Sequence, residues 1–173
     1  DALVIRDRED EYYKQLLGRV QIPILNAGDG KKDHPTQSLL DLLTIRQEFG
    51  RFEGLKIAIV GDVKYSRVAH TNIEVMQRLG MQCVISGPEE YRDPQYDYID
   101  FDQAVQEMDI LMLLRVQHER HEQAMSLSKQ EYHEKYGLTA ERVKRMKDNA
   151  IIMHPAPFNR GVEIADEVVE CDK

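Results

Sequence analysis

Cationic and amide side chains follow the apolar runs of this chain, either directly or after a short loop. The set contains three arginines, two histidines, a lysine and two glutamines, namely Arg6, His34, Gln37, Lys64, Arg67, Arg115, Gln117 and His154. Guanidinium groups bind carboxylates and phosphates through paired hydrogen bonds. These residue types therefore predict a site that binds two anionic reactants and polarises one of them. Singly, each arginine is more often a solvated surface residue and each histidine more often a helix cap, so the prediction depends on the whole set.

The apolar runs themselves are short and alternate with helical patterns, which predicts an α/β fold with a mostly parallel sheet. Strands are expected at residues 2–5, 22–25, 55–60, 82–86, 109–114 and 150–153, and helices at 9–20, 35–49, 66–79, 101–107, 126–133 and 139–147. In the helix 35–49, Pro35 stands at the first position, where its missing N–H is harmless, and the leucines predict an apolar buried side.

In parallel α/β sheets, ligands bind beyond the carboxyl ends of the strands. If the strands are parallel, the cationic and amide groups share one edge of the sheet. The turn after strand 55–60 reads GDVKYSR and lacks the G-x-G-x-x-G pattern that lets a backbone approach a pyrophosphate. This charged turn favours direct binding of a small carboxylate over binding of a dinucleotide.

Composition excludes several other classes of protein. The net charge of −8 argues against a nucleic-acid surface. The apolar runs are far shorter than the roughly 20 residues of a membrane span, and no signal peptide opens the chain. Cys83 and Cys171 belong to no ligand motif, which favours a reducing cytoplasm. No nucleophile is paired in sequence with a base and no metal-ligand set is evident, so we expect neither a metal nor another cofactor.

Four segments resemble the signature motifs of the aspartate carbamoyltransferase catalytic chain. They are AGDG followed by HPTQSLLDL, then GDVKYSRVAHTN, LLRVQHER and HPAPFNRGVEI, in the order in which the family has them. The resemblance extends from residue 2 to about residue 164. Ornithine carbamoyltransferases typically have a cysteine in the first motif and His-Cys-Leu-Pro in the last, whereas these segments of the chain contain Thr36 and Ala156.

The resemblance implies transfer of a carbamoyl group from carbamoyl phosphate to L-aspartate in pyrimidine synthesis (EC 2.1.3.2), by a cytoplasmic homotrimer. It implies that Arg6 and His34 polarise the carbonyl group of carbamoyl phosphate. Gln37 would bind the carbamoyl NH₂ group together with backbone carbonyls around Pro155, Ala156 and Pro157. The carboxylates of aspartate would contact Arg67 and Arg115, with Gln117 nearby.

The resemblance also implies a Rossmann-like three-layer fold with two domains, of which the first is incomplete. Residues 1–50 would end the carbamoyl-phosphate domain, 51–157 would form the aspartate domain, and 158–173 would return toward the first domain. The phosphate loop of the family would lie upstream of this chain, so we expect the chain alone to be inactive. Two alternatives stay open: a carbamoyltransferase for another amino acceptor, and a truncated chain that only binds.

Overall fold

The computed structural model describes residues 1–116 and 127–173. Within these ranges the chain divides into two compact units. Unit 1 contains Asp1–Glu53 and Tyr65–Met81, and unit 2 contains Gly54–Lys64 and Gln82–Lys173. The chain therefore passes from unit 1 to unit 2, back to unit 1 and again to unit 2.

Unit 1 is built from two strands and two α-helices. Strand β1 (Leu3–Asp7) pairs in parallel with β2 (Ile24–Asp29), with Leu3 opposite Ile24. Helix α1 (Pro35–Phe49) begins with proline as predicted and ends at Gly50, whose φ of 69° is the left-handed conformation in which glycine commonly ends helices. Helix α2 (Arg67–Arg78) begins at Ser66, whose hydroxyl accepts from the backbone N–H of Ala69.

The buried side of α1 is more polar than its sequence pattern predicts. The buried residues are Ser38, Asp41, Leu42 and Ile45, at the i, i+3, i+4, i+7 spacing of one helix face. Leu39, Leu40 and Leu43 are between 58% and 67% exposed. The expectation that the leucines pack inside is therefore wrong for three of them, because the buried face includes two polar residues instead.

The predicted helix at residues 9–20 is wrong. Its place is taken by a short 3-10 helix, Tyr12–Gln15, and turns. A left-handed backbone conformation and two hydrogen bonds to β1 and β2 override the helical pattern here. The backbone of Glu11 adopts the left-handed conformation, with φ 56°. The N–H of Glu11 donates to the carboxylate of Asp29, and the hydroxyl of Tyr12 donates to the carbonyl oxygen of Ile5.

Unit 2 has an α/β fold with a parallel sheet, which confirms the predicted fold class. Its described strands are ordered β4-β3-β5-β6 and all pair in parallel. They are β3 (Lys56–Val60), β4 (Gln82–Ser86), β5 (Ile110–Leu113) and β6 (Ile151–Met153). Most of β3 and all of β5 are buried, as is usual for central strands of a sheet covered on both sides.

Four α-helices belong to the described part of unit 2. They are α3 (Phe101–Glu107), α4 (Lys129–Tyr136), α5 (Ala140–Val143) and α6 (Asp166–Val169). Helix α3 has its predicted bounds, α5 is shorter than predicted, and α6 lies where no helix was predicted. No helix in the described ranges is long and apolar enough to cross a membrane.

The strands of the described residues do not form one sheet. Strands β1 and β2 pair with each other, whereas β3, β4, β5 and β6 form the second sheet. The expectation of one shared sheet edge is therefore wrong. Sequence periodicity indicates that a segment is a strand, but the hydrogen-bonding partner of each strand is decided by contacts that are distant along the chain.

Candidate active site

His34 stands immediately before α1, and its backbone is fixed by α2. The N–H of His34 donates to Oγ1 of Thr71 at 3.0 Å, and its carbonyl oxygen accepts from the N–H groups of Gln37 and Ser38 at 3.1 Å each. The imidazole makes no capping hydrogen bond to α1. The backbone of His34 therefore positions the ring without using it as a cap.

The charge state of His34 follows from its surroundings in unit 1. Burial, followed by the positive charges of Arg67 and Arg6, lowers the pKa of His34 below its usual 6.5. Near pH 7 the imidazole is therefore neutral. A neutral imidazole has one N–H, which can donate a hydrogen bond to a carbonyl oxygen.

Gln37 lies one turn into α1 and is half-buried. Its Nε2 donates to Oδ1 of Asp41 at 3.0 Å, and Oδ2 of Asp41 accepts from Nδ2 of Asn72 at 2.7 Å. Asp41 and Asn72 are buried, and burial raises the pKa of Asp41 above its usual value, against the lowering effect of the two amide hydrogen bonds. A chain of three polar side chains thus links the opening of α1 to α2.

The guanidinium group of Arg67 packs against the loop after β2. Its Nη1 donates to the carbonyl oxygen of Gly30 at 2.9 Å. A Cβ atom at Gly28, near the end of β2, would lie 3.1 Å from Cζ of Arg67, and Gly28 has a φ of 116°, so this position favours glycine for two reasons. Arg6, at the end of β1, is exposed. Unit 1 thus brings together four of the predicted site residues: Arg6, His34, Gln37 and Arg67.

The segment after β6 is held by its own buried polar side chains. The backbone N–H of Ala156 donates to Nδ1 of His154 at 3.0 Å, and Nε2 of the same ring lies 3.5 Å from Oε1 of Glu163. Glu163 is 1% exposed and also accepts from the N–H of Asn159 at 2.6 Å. These bonds hold the backbone of Pro155, Ala156 and Pro157, and Ala156 adopts a left-handed φ of 51°.

The remaining predicted site residues follow β5. Arg115 is half-buried in unit 2. The carbonyl oxygen of its neighbour Val116 accepts from Nδ2 of Asn159 at 2.9 Å, which ties this segment to the one after β6. Gln117 lies outside the described residues. No group of three or more histidine, cysteine, aspartate or glutamate side chains in the described ranges could hold a metal ion.

Sequence reasoning missed the residues that support the site: Asp41, Thr71, Asn72, Asn159 and Glu163. For two of them a signal was present. Asp41 stands on the face of α1 that Leu42 and Ile45 share, and Asn72 stands on the apolar side of α2. A polar residue at a buried position needs a hydrogen-bond partner, so such a position is a candidate for a structural network.

Both parts of the chain match one enzyme family. Residues 1–47 match the family described as aspartate/ornithine carbamoyltransferase, carbamoyl-P binding domain, and residues 53–173 match its Asp/Orn binding domain. The chain is also similar to solved structures of aspartate transcarbamoylase from Trypanosoma cruzi.

The structure of that enzyme with carbamoyl phosphate shares 30% identity and a TM-score of 0.85, over 99% of this chain and 59% of the solved chain. The complex with phosphate has 28% identity and a TM-score of 0.84, over 99% and 60%. The complex with carbamoyl phosphate and aspartate has 29% identity and a TM-score of 0.82, over 98% and 59%. The chain thus spans about three fifths of the length of these relatives. On the two family matches, it belongs to the aspartate/ornithine carbamoyltransferase family.

Proposed function

We propose that the protein transfers the carbamoyl group of carbamoyl phosphate to the amino group of L-aspartate, giving N-carbamoyl-L-aspartate and phosphate. The observation that carries this proposal is the environment of His34. A neutral imidazole within the positive field of Arg6 and Arg67 is suited to donating a hydrogen bond to a carbonyl oxygen next to a phosphate. The similar enzyme from Trypanosoma cruzi has been solved with both substrates.

In this proposal the carbamoyl group is bound by donors on its oxygen and acceptors on its nitrogen. The N–H of His34 and the guanidinium of Arg6 donate to the carbonyl oxygen and stabilise the charge that develops there. Gln37 and the backbone carbonyls around Pro155, Ala156 and Pro157 accept from the NH₂ group.

Aspartate is the favoured amino acceptor because the chain offers two arginines for two carboxylates. Arg67 and Arg115 would each bind one carboxylate, with Gln117 nearby. Arg67 already donates one N–H to Gly30, and a guanidinium has five donors in all. A cationic acceptor such as ornithine would need an acidic partner at these positions instead.

The reaction balances without a base from the protein. The amino nitrogen of aspartate attacks the carbonyl carbon, and a C–N bond forms as the oxygen becomes an oxyanion. The C–O bond to phosphate then breaks, and a phosphate oxygen accepts the proton that the amine loses. Loss of one donor to the oxyanion costs roughly 2.7–4 kcal/mol in comparable sites.

The assignment of regions is part of the same proposal. Residues 1–50 would serve carbamoyl phosphate, 51–157 would serve aspartate, and 158–173 would return toward the first domain. A homotrimer, a cytoplasmic location and a place in pyrimidine synthesis are further parts of the proposal, which rest on the family resemblance.

The test is an assay of the complete gene product with carbamoyl phosphate and either aspartate or ornithine. Formation of carbamoyl aspartate and phosphate in equal amounts is expected. Product with ornithine alone would identify the other branch of the family, and substrate binding without product would identify a chain that only binds.

Two variants test the roles. His34→Ala should lower kcat about 100-fold, because it removes one donor to the oxyanion. Arg67→Ala should chiefly raise KM for aspartate, by about tenfold or more, because it removes a charged partner of a carboxylate. Arg19→Ala is the matched control, since Arg19 is an exposed arginine of unit 1. Reversed effects of the first two variants would overturn the assignment of roles.

A further inference from the structure

We propose that Asp41 is a positioning residue that fixes the side-chain amide of Gln37. The carbonyl oxygen of Gln37 is then turned toward the ligand, where it accepts a hydrogen bond from an N–H group. This inference rests on the proposed function, in which Gln37 contacts carbamoyl phosphate. The inference adds that Asp41 determines whether the carbonyl oxygen or the NH₂ group of Gln37 faces the ligand.

The side chains of Gln37 and Asp41 are hydrogen-bonded to each other. Gln37 and Asp41 are four residues apart on α1 and therefore lie on the same face of the helix. Nε2 of Gln37 is 3.0 Å from Oδ1 of Asp41. An ionised carboxylate only accepts hydrogen bonds, so the NH₂ end of the amide must be the end that faces it. Because the amide is planar, its carbonyl oxygen then points away from Asp41.

Asp41 is bonded at both of its carboxylate oxygens. Its other oxygen, Oδ2, accepts from Nδ2 of Asn72 at 2.7 Å. Asp41 is 2% exposed and Asn72 is fully buried, so water has little access to replace either amide. Both carboxylate oxygens are thus bonded to amide nitrogens, one from each helix, and neither helix has to move for Gln37 to be held.

A fixed carbonyl oxygen on Gln37 suits a ligand that carries an NH₂ group. A carbamoyl group presents an NH₂ group where an acetyl group of the same shape presents a methyl group. A fixed carbonyl oxygen on Gln37 distinguishes the two, because it pairs with the NH₂ group and is left without a partner beside the methyl group. Asp41 would therefore contribute to selectivity without touching the ligand.

A simpler role for Asp41 is to join α1 to α2 through Asn72. That role and the proposed one differ in what they predict for the two ligands. Loss of a structural link should weaken binding of carbamoyl phosphate and acetyl phosphate by similar factors, whereas release of the Gln37 amide should weaken binding of carbamoyl phosphate alone.

The experiment compares the dissociation constants of carbamoyl phosphate and acetyl phosphate for the complete gene product and its Asp41→Asn variant. An asparagine at position 41 has one carbonyl oxygen for two amide donors, so Gln37 is free to turn. The preference for carbamoyl phosphate should fall about tenfold, with the constant for acetyl phosphate unchanged. Asn72→Ala is the matched control, because it breaks the link to α2 but leaves Asp41 for Gln37, and should retain the preference.

The outcomes separate this inference from the proposed function. A wild-type protein that does not bind carbamoyl phosphate would overturn the proposed function. A wild-type protein that prefers carbamoyl phosphate, together with an Asp41→Asn variant that keeps the full preference or loses both ligands equally, would overturn the inference alone.

If Asp41→Asn does not fold, the wild-type protein still tests the inference by NMR. The side-chain NH₂ signal of Gln37, assigned by its loss in Gln37→Leu, should titrate together with the carboxyl carbon of Asp41. An NH₂ signal that does not follow the ionisation of Asp41 would show that the two groups are not paired, and would overturn the inference.

Discussion

The side-chain Nδ2 of Asn159 donates a 2.9 Å hydrogen bond to the backbone carbonyl oxygen of Val116. This bond joins two segments of unit 2 that are 43 residues apart, one after β6 and one after β5. Val116 directly follows Arg115, and Asn159 directly follows the segment 154–158. The two segments that the proposed function assigns to different substrates are therefore held by one amide.

Replacing Asn159 should therefore weaken unit 2, and the aspartate variant should be worse than the alanine variant. Asn159→Ala loses the bond to Val116, which contributes on the order of 1 kcal/mol. Asn159→Asp loses the same donor and places a second carboxylate beside Glu163, whose Oε2 is 3.5 Å from Nδ2 of Asn159. Urea unfolding should show the order wild type, Ala variant, Asp variant, with the gap between the variants widening as pH rises.

Asn149→Asp provides the control for that series, because Asn149 is exposed. Its effect should stay within about 0.5 kcal/mol. Equal effects of Asn159→Ala and Asn159→Asp at all pH values would contradict the proximity of the second carboxylate.

Removing the charge of Arg67 should raise the pKa of His34 without restoring it to 6.5. Burial is the largest cause of the lowered pKa and persists in Arg67→Gln, whereas the contribution of the Arg67 charge is lost. Titration of the His34 ring signals by NMR measures the shift, with Arg19→Gln as the control for the loss of a positive charge elsewhere in unit 1. A His34 pKa that is the same in Arg67→Gln and wild type would place the guanidinium too far from the ring to matter.

The lowered pKa of His34 also predicts the sign of a stability change. Between the folded pKa and 6.5, the unfolded chain binds more protons at this residue than the native chain. The contribution of His34 to the free energy of unfolding is therefore fully present above pH 6.5 and decreases as pH falls through the folded pKa. As pH falls from 6.5 to the folded pKa of His34, the free energy of unfolding should decrease less in His34→Gln than in wild type. Urea unfolding at a series of pH values measures this difference.

Arg142 should matter more for the stability of unit 2 than its half-exposed partner Asp102. Arg142 is 9% exposed and donates to the carbonyl oxygens of Glu134, Lys135 and Gly137 at the end of α4. Arg142→Met leaves these oxygens without that donor and should reduce the free energy of unfolding by about 1–3 kcal/mol.

Asp102→Ala should have a smaller effect, because the Asp102 side chain is 48% exposed. The hydrogen bond from Arg142 lowers the pKa of Asp102, so this contribution is present above the usual pKa of 3.8 and is lost as pH falls through the folded pKa. Thermal unfolding of both variants at pH 7 measures the order, and a larger loss for Asp102→Ala would contradict it.

The two cysteines should react at very different rates. Cys83 is buried in β4, and burial raises its pKa to about 12, whereas Cys171 is half-buried. Since the thiolate is the reactive form, iodoacetamide at pH 8 should modify Cys171 first and Cys83 only after unfolding. Mass spectrometry of peptides measures this, and Cys171→Ser should remove the fast reaction. Fast labelling of Cys83 in the native protein would show that β4 opens readily.

Local features of the fold were predictable because they depend on residues close in the chain. Pro35 at the first position and Gly50 after the last gave the bounds of α1, and the apolar runs gave the strands of unit 2 to within about one residue. The segment 9–20 failed because Glu11 and Tyr12 bond to residues of β1 and β2 that its own periodicity does not reflect.

The residue types of the candidate site could likewise be predicted from the sequence, but the hydrogen-bond partners that hold these residues in place could not. Asn72 donates to Asp41 across 31 residues, and Thr71 accepts from His34 across 37. The apolar faces of α1 and α2 indicate that Asp41 and Asn72 are buried polar residues, but they do not indicate which partner each one bonds. That pairing forms only when the two helices pack together.

The sequence by itself determined the strand and helix types, the family motifs and the chemistry of the side chains. The tertiary structure decided that the strands divide between two sheets, that Asp41 of α1 accepts from Asn72 of α2, and that the pKa of His34 is lowered. The physical reason is one of range. Helical periodicity and turn geometry act between near neighbours in the chain, whereas strand pairing, loss of hydration and the fields of charged groups depend on distances through space.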